Sequence, residues 1–209
     1  MSLSETLWET NEGLARATLD HPFVRGIGDG TLPIASFREY VAQDAFFLES
    51  FARAYALALA HSPDRAGMKD FAGLVAGVLE ELELHDAYAT RWGVDLADST
   101  EPAGATLAYT DFLLATAALR SVGETCTAMT PCMRLYAFLG HSLAEMGYDE
   151  GNPYAEWIKT YSDPDFEALA AKLEALLDRY AADEPAAHAA YRRAMELELT
   201  FFEAAWRMG

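Results

Sequence analysis

Apolar residues recur at helical spacing along nearly the whole chain. Intervals of three and four residues are typical of helices with one buried face, and no alternating pattern predicts a β-strand. A serine followed three residues later by glutamate marks a predicted helix start at Ser2, Ser36 and Ser121. The predicted helices run from Ser2 to about Leu19, from Ser36 to Ala60, from Asp64 to about Trp92, from Pro102 to about Arg120, from Ser121 to Met146, from Asn152 to Thr160, from Pro164 to Tyr180 and from Pro185 to about Met208.

The segment between the first two predicted helices is interpreted as a turn-rich connection. Residues 21–33 have the sequence HPFVRGIGDGTLP, in which Pro22 and three glycines are turn signals. No low-complexity tract, internal repeat or linker divides the chain. We therefore expect one all-α domain over residues 1–209, built as a bundle of seven or eight helices.

The composition limits the classes of partner. The chain has 209 residues, 52% of them hydrophobic, and 33 acidic against 15 basic residues give a formal net charge of −18. Because this charge repels phosphate backbones, no nucleic-acid partner is expected. No apolar run is long enough to span a membrane, and the polar start MSLSETLWET predicts no secretory leader. We expect a cytoplasmic protein whose two cysteines, spaced C-x5-C, stay reduced.

One acidic residue interrupts an otherwise apolar helix face. Asp44 lies within a stripe of aromatic and aliphatic residues that includes Tyr40 and Phe47. Burying a carboxylate is unfavourable unless another group pairs with it. The pattern favours a polar ligand or a proton-transfer role, and the structural alternative is an ion pair with a base such as Arg53.

Polar groups also occupy the apolar faces of three other predicted helices. Glu198 lies among aromatic residues of the last helix, Cys132 and Tyr136 share a face of the fifth, and Tyr109 lies on the fourth. Each alone is compatible with an ordinary core residue, but together they predict a polar pocket inside the bundle. Because Pro131 follows residues already predicted as helical, we expect a kinked helix at Cys132, with thiolate activation from the substrate or an acid–base partner.

A pocket of this kind can instead bind a metal ion. Di-iron bundles use Glu-x-x-His pairs on facing helices. Glu81 and His85 are four residues apart, no second matching pair is present, and the acidic run around them is typical of a solvated face. We therefore expect no metal.

Several segments, in this order, resemble the TenA family, the thiaminase II or aminopyrimidine aminohydrolase group. The resemblance extends over the full chain and implies a haem-oxygenase-like helical fold that needs neither haem nor metal, and a homotetramer. The segments that carry it are HPFVRGIGDGTLP, QDAFFLESFARAY, AYTDFLL, TPCMRLY, NPYAEWIKTYSDPDF and ELTFFEAAW.

The resemblance implies roles for three polar candidates. Cys132 corresponds to the nucleophile, in the subgroup that keeps a cysteine, and Glu198 to the acid–base carboxylate. Asp44 corresponds to the carboxylate that binds the exocyclic amine and a ring nitrogen of an aminopyrimidine.

The resemblance also implies an aromatic lining for the pocket. Tyr109, Tyr136 and Tyr161 correspond to tyrosines that line the pocket or form hydrogen bonds near the cysteine. Phe201 corresponds to an aromatic residue that stacks on the pyrimidine. Phe47 lies at a position where a tyrosine is usual in the family. Because the phenylalanine lacks the tyrosine hydroxyl, the substrate preference and the rate stay open.

The activity implied by the resemblance is hydrolysis in thiamine salvage. Aminomethylpyrimidine would be deaminated to hydroxymethylpyrimidine and thiamine would be cleaved, through a covalent cysteine intermediate and without a cofactor. The alternatives are a non-catalytic ligand-binding or regulatory protein that acts through protein contacts, and a metal-containing enzyme of related fold. The preferred substrate among thiamine and its degradation products stays open.

Overall fold

The computed structural model describes residues 1–96, 101–149 and 151–208. The described part contains ten helices and no strand, which confirms the expected all-α class. Within these ranges, no helix combines the length and the apolar content that a bilayer crossing requires. In chain order the helices are α1 (Leu3–Thr10), α2 (Glu12–Leu19), α3 (Pro22–Asp29), α4 (Ile34–His61), α5 (Arg65–Arg91), α6 (Gly104–Leu119), α7 (Val122–Met146), α8 (Ala155–Tyr161), α9 (Pro164–Tyr180) and α10 (Pro185–Met208).

Two long helices, α4 and α7, form the centre of the bundle. Helix α4 packs against α5, α6 and α10, and α7 packs against α8, α9 and α10. Large side chains are fully buried between them, among them Tyr40 and Tyr55 on α4 and Phe202 on α10. Burying one phenylalanine stabilises a fold by about 1.5–3 kcal/mol. The same packing holds the helices that carry the candidate residues next to one another.

Two residues of α7 determine how this helix approaches its neighbours. The helix continues through Pro131, as expected from the helical pattern on both sides, and the missing N–H leaves the Thr127 carbonyl without its intrahelical partner. At Gly140, a Cβ atom would overlap the backbone carbonyl of Tyr161 at the end of α8. Only glycine permits this close approach, which brings Tyr161 towards the helix that carries Cys132.

The sequence predicted some helix starts correctly and others wrongly. The capping boxes at Ser2 and Ser121 are confirmed. The one at Ser36 is wrong, because α4 begins earlier, after Pro33, and the buried Ser36 hydroxyl has no hydrogen-bond partner within the described residues. The first predicted helix is in fact two, α1 and α2, which meet at Asn11.

The segment interpreted as a turn-rich connection contains the helix α3. Pro22 occupies its first turn, where the missing N–H costs no hydrogen bond. The His21 ring accepts a hydrogen bond from the backbone N–H of Phe23 and caps the helix. Gly30, with φ of 71°, ends it in the left-handed conformation. The proline and this glycine therefore mark the two ends of a helix, and the prediction of a connection over the whole of 21–33 is wrong.

Candidate active site

An inner cavity of about 100 Å³ lies between α4, α5, α7, α8 and α9. Most of its wall is apolar, with Phe51, Tyr55 and Phe166 among the aromatic contributors. The fold thus brings together side chains from distant parts of the sequence around one space. Five of the eight residues predicted from the sequence line it: Asp44, Phe47, Cys132, Tyr136 and Tyr161.

The inner cavity opens into an outer cleft of about 300 Å³. Asp44, Glu81 and Tyr161 line both spaces, so they form the junction between them. The outer cleft is more polar than the cavity. Its other lining residues are Tyr40, His85, Tyr88, Arg91, Glu156, Trp157 and Thr160.

Asp44 lies on the wall of the inner cavity with little access to solvent. Its side chain is 13% exposed, and its Oδ2 atom lies 3.9 Å from Nδ1 of His85. Burial raises the pKa of Asp44 to about 6, against the opposing effect of His85. The Arg53 alternative is wrong, because Arg53 pairs with Glu49 on the exposed face of α4, at 3.0 Å.

His85 is oriented by a second contact. Its Nε2 atom lies 2.9 Å from the carbonyl oxygen of Val41. Since a carbonyl oxygen only accepts hydrogen bonds, Nε2 must carry a proton. The Nδ1 atom therefore faces Asp44, either as a lone pair or, in the imidazolium form, as an N–H.

Cys132, Glu198 and Tyr109 interact directly at the inner end of the cavity, and we refer to these three residues as the floor. The Tyr109 hydroxyl donates a hydrogen bond of 2.7 Å to Oε1 of Glu198, which is only 2% exposed. Burial raises the pKa of Glu198 to about 7, although hydrogen bonds from Tyr109 and Cys132 act in the opposite direction. Burial and the nearby charge of Glu198 raise the pKa of the Cys132 thiol well above its ordinary value.

These shifts define the protonation of the floor near neutral pH. Cys132 is a neutral thiol, because ionising it beside a buried carboxylate is unfavourable. Glu198 is close to its midpoint, so it can accept a proton in one step and return it in another. A thiol in this position becomes a nucleophile by transferring its proton as it attacks.

Hydrogen-bonded aromatic side chains extend from the inner cavity, which Tyr136 lines, to the outer cleft, which Tyr40 and Trp157 line. The Tyr40 and Tyr136 hydroxyl oxygens are 3.3 Å apart, and the Trp157 indole N–H donates to the Tyr40 hydroxyl at 3.3 Å. The Tyr136 and Tyr161 rings pack edge to face with centroids 4.8 Å apart. This packing fixes one side of the cavity in position.

The other three predicted residues, Glu198, Tyr109 and Phe201, are not among those that line the cavity. Tyr109 lies beneath it, where it contacts Glu198 and packs on Phe47 with ring centroids 4.9 Å apart. The ring of Phe201 lies 6.2 Å from that of Phe47 and borders a different small pocket that includes Gln43. Of these two phenylalanines, Phe47 is the one that lines the cavity, and Phe201 packs near it outside the lining.

The sequence interpretation missed Glu81 and His85 as pocket residues. Leu74 and Val78 on α5 are buried, and Glu81 and His85 continue their spacing of three and four residues. The same rule that selected Asp44 would have selected both, but the surrounding acidic residues favoured a solvated face. No group of three or more His, Cys, Asp or Glu residues is arranged for metal binding in the part of the chain described.

A family model described as TENA/THI-4/PQQC family matches residues 8–208 of this chain, and the curated proteins that are similar over most of its length include the two that follow. The bifunctional TH2 protein, mitochondrial, of Arabidopsis thaliana is 37% identical over 209 residues, with 88% of this chain and 34% of that protein covered. The chain thus spans about a third of that relative's length. The aminopyrimidine aminohydrolase of Halalkalibacterium halodurans is 36% identical over 185 residues, with 87% of this chain and 83% of that protein covered.

Solved structures that share the fold include the following two. The TenA homologue protein from P. horikoshii OT3 has a TM-score of 0.91 at 27% identity, with 100% of both chains covered. A domain of unknown function with a heme oxygenase-like fold from Shewanella denitrificans has a TM-score of 0.78 at 13% identity, with 97% of this chain and 91% of that chain covered. The second likeness supports the fold alone, and it confirms the haem-oxygenase-like architecture.

Proposed function

Because the chain belongs to the TENA/THI-4/PQQC family, we propose that it is an aminopyrimidine aminohydrolase of the thiaminase II type. The proposed reactions are the deamination of aminomethylpyrimidine to hydroxymethylpyrimidine and the cleavage of thiamine, both in thiamine salvage. One observation carries the proposal: Cys132, Glu198 and Tyr109 interact at the floor of an aromatic cavity that has Asp44 on its wall.

The inner cavity suits a flat aminopyrimidine. Phe47 and its neighbours offer apolar faces to the ring, and the Asp44 carboxylate accepts a charge-assisted hydrogen bond from the exocyclic amine. A ring nitrogen is itself an acceptor, so a second contact to Asp44 needs one shared proton. A pKa of about 6 leaves Asp44 mostly ionised at neutral pH, but close enough to its midpoint to share a proton with the ring nitrogen.

The floor supplies the nucleophile and the acid–base group. Glu198 accepts the proton of the Cys132 thiol while the sulfur adds to a ring carbon, and an acid protonates the ring nitrogen that receives the electron pair. The bond between the exocyclic methylene and the leaving nitrogen then breaks, which releases ammonia or the thiazole. Water adds to the methylene and one of its protons returns to the acid. The carbon–sulfur bond then breaks as the ring nitrogen releases its proton to solvent, and Glu198 returns its proton to the thiolate.

Product release tests the activity directly. The purified protein is incubated with aminomethylpyrimidine or thiamine, and ammonia or thiazole is quantified. Release of either supports the proposal. Binding of the pyrimidine without release would overturn it in favour of the non-catalytic ligand-binding alternative.

Acid quenching during turnover tests the covalent step. Peptide mass spectrometry should find the pyrimidine fragment on Cys132 and not on Cys126, which has 1% exposure and does not line the cavity. If the enzyme turns over substrate and no modified cysteine is found after the quench, the covalent intermediate is contradicted.

Location and assembly are further parts of the proposal. A formal net charge of −18 and two free cysteines suit a cytoplasmic protein without a nucleic-acid partner. Exposed apolar side chains such as Leu79, Leu119 and Leu169 are compatible with the expected homotetramer of single-domain chains. Light scattering coupled to size exclusion should give a mass four times that of the 22.9 kDa chain.

A further inference from the structure

Glu81 stands at the junction of the inner cavity and the outer cleft. It lines both spaces, and so do Asp44 and Tyr161. In the proposed reaction, the aminopyrimidine ring would occupy the inner cavity beside Asp44 and Cys132. The substituent that leaves would then point through the junction beside Glu81 towards the outer cleft.

The charge around this junction is not balanced. Arg91 is the guanidinium that lines the outer cleft, and it already pairs with Glu156 at 2.6 Å. His85 faces Asp44 and is anchored to the backbone of α4. Within the described ranges, Glu81 has no hydrogen bond and no ion pair shorter than 4 Å, so its carboxylate has no direct partner of opposite charge.

The electrostatic influence of Glu81 reaches into the cavity. Its negative charge contributes to the raised pKa values of Cys132, Tyr55 and Tyr161, which all line the inner space. Burial and then the charge of Asp44 raise the pKa of Glu81 itself to about 7, while His85 opposes the rise. Water reaches Glu81 through the open cleft, which moderates this effect. A cation placed between the two carboxylates would relieve their repulsion.

We propose that Glu81 is a specificity-determining residue that selects substrates with a positively charged group on the methylene of the aminopyrimidine. The ligand class is a primary ammonium or a thiazolium attached to that methylene. This inference rests on the proposed function, because it assumes that the aminopyrimidine ring occupies the inner cavity.

Glu81 should act on affinity more than on the rate of the chemical step. The leaving nitrogen carries its positive charge in the bound substrate and loses it as the carbon–nitrogen bond breaks. A carboxylate beside that nitrogen therefore stabilises the bound state at least as much as the transition state. Removing its charge should raise KM or Kd for cationic substrates and leave kcat nearly unchanged.

Two ligands with the same ring separate charge recognition from ring recognition. Aminomethylpyrimidine carries an aliphatic ammonium near neutral pH, and hydroxymethylpyrimidine carries a neutral hydroxyl of similar size. Their Kd values are measured by calorimetry at pH 7.5 in a Cys132→Ser background, which prevents turnover. The variants compared are Glu81→Gln and, as a matched control, Glu80→Gln, whose neighbouring carboxylate lines neither the cavity nor the cleft.

With Glu81 present, the ammonium should bind more tightly than the alcohol. Glu81→Gln should raise the Kd of aminomethylpyrimidine about fivefold, which is the effect of an ion pair open to water. The Kd of hydroxymethylpyrimidine should stay unchanged. Glu80→Gln should change neither Kd, and added salt should reduce the preference only when Glu81 is present.

Two results would overturn the inference, and they differ from a failure of the proposed function. Equal weakening of both ligands by Glu81→Gln would mean that Glu81 only supports the structure of the site. No weakening of either would mean that it does not contact the substituent. Failure of both ligands to bind while Glu81 is present would instead refute the proposed function, and this inference with it.

Discussion

Helix α7 carries two thiols, six residues apart, with different surroundings. Cys126 is 1% exposed, and burial raises its pKa to about 12. Burial also raises the pKa of Cys132 well above its ordinary value, but this residue borders the inner cavity and interacts with Glu198. Both thiols are neutral at rest, so the thiolate content of the resting protein does not distinguish them.

The two regions differ in access and in a proton acceptor. A substrate in the inner cavity reaches Cys132, and Glu198 can take the thiol proton during attack. No cavity lining includes Cys126 among the described pockets. A partly buried cysteine such as Cys132 thus becomes a candidate nucleophile through its neighbours, and its own pKa is a poor guide to its reactivity.

The largest expected effect follows from exchanging each thiol for alanine. Cys132→Ala should lower kcat/KM about 10³-fold or more, because the nucleophile is lost. Cys126→Ala should change kcat/KM less than about twofold, a typical value for a residue without contact to substrate. Steady-state ammonia release measures both. Comparable losses in the two variants, with helicity intact by circular dichroism, would contradict the distinction drawn between the thiols.

Removing the proton acceptor should have the next largest effect. Glu198→Gln should lower kcat/KM about 10²- to 10⁴-fold, the usual contribution of a positioned acid–base group. The ionised form of Glu198 accepts the thiol proton, so wild-type log kcat/KM should rise with pH and level off above about 7. Glu198→Gln should lose most of this rise and keep only the roughly fivefold part that the ionisation of Glu81 adds through substrate affinity, whereas Glu81→Gln should keep the larger part. A variant at position 198 with an unchanged pH profile would assign the proton transfer to another group.

The floor should also make the stability of the protein depend on pH. The pKa of Glu198 is about 7 in the folded protein and close to 4.5 when unfolded, so the folded state binds more protons between these values. Its contribution to the free energy of unfolding is fully present below pH 4.5 and is lost as pH rises through 7, by about 3 kcal/mol. Asp44 and Glu81 shift in the same direction, so they add to the decline.

Urea unfolding at pH 5 and pH 8 checks this contribution. The decline in the free energy of unfolding should be about 3 kcal/mol smaller in Glu198→Gln than in the wild type. Cys126→Ala should retain the wild-type decline, because no carboxylate titrates beside it in this way. Equal declines in the wild type and Glu198→Gln would show that Glu198 is not the group responsible.

Tyr109 should have a smaller, supporting role at the floor. Its hydroxyl donates to Oε1 of Glu198 and thereby lowers the pKa of that carboxyl. Tyr109→Phe should therefore shift the midpoint of the pH–activity profile upward and lower kcat/KM at pH 7 about tenfold. The shift in midpoint is the diagnostic measurement, since a purely structural defect would lower the activity equally at every pH.

The sequence predicted the helices best where local signals and periodicity agreed. The capping boxes at Ser2 and Ser121 identified two helix starts, because such a box depends only on residues within one turn. The same motif failed at Ser36, where a preceding proline already starts the helix. Helix α3 was missed because Pro22 and Gly30 serve equally well in turns and at helix ends.

The candidate site was predictable only in part, for a different reason. An acid on an apolar stripe identified Asp44 and Glu198 from one helix alone. Glu81 continues the buried stripe of Leu74 and Val78 on α5, but the acidic residues beside it along the chain favoured a solvated face. Only the packing of α5 against α4 brings it to the cavity beside Asp44. The position of Phe201 outside the cavity lining likewise depends on how two helices rotate against each other, which one sequence does not determine.

The smallest expected effect reverses the roles of the two thiols. Cys126→Ala removes one heavy atom from a closely packed part of the core, so it should lower the free energy of unfolding by about 1 kcal/mol. Cys132→Ala removes an atom that faces an existing cavity, so it should lower the free energy of unfolding by less than half of that amount. Chemical denaturation at pH 6 measures both values. Each thiol would then matter to one property: Cys126 to stability and Cys132 to turnover. If Cys132→Ala were the more destabilising variant, its loss of activity could no longer be attributed to the missing nucleophile, and the contrast between the two regions would fail.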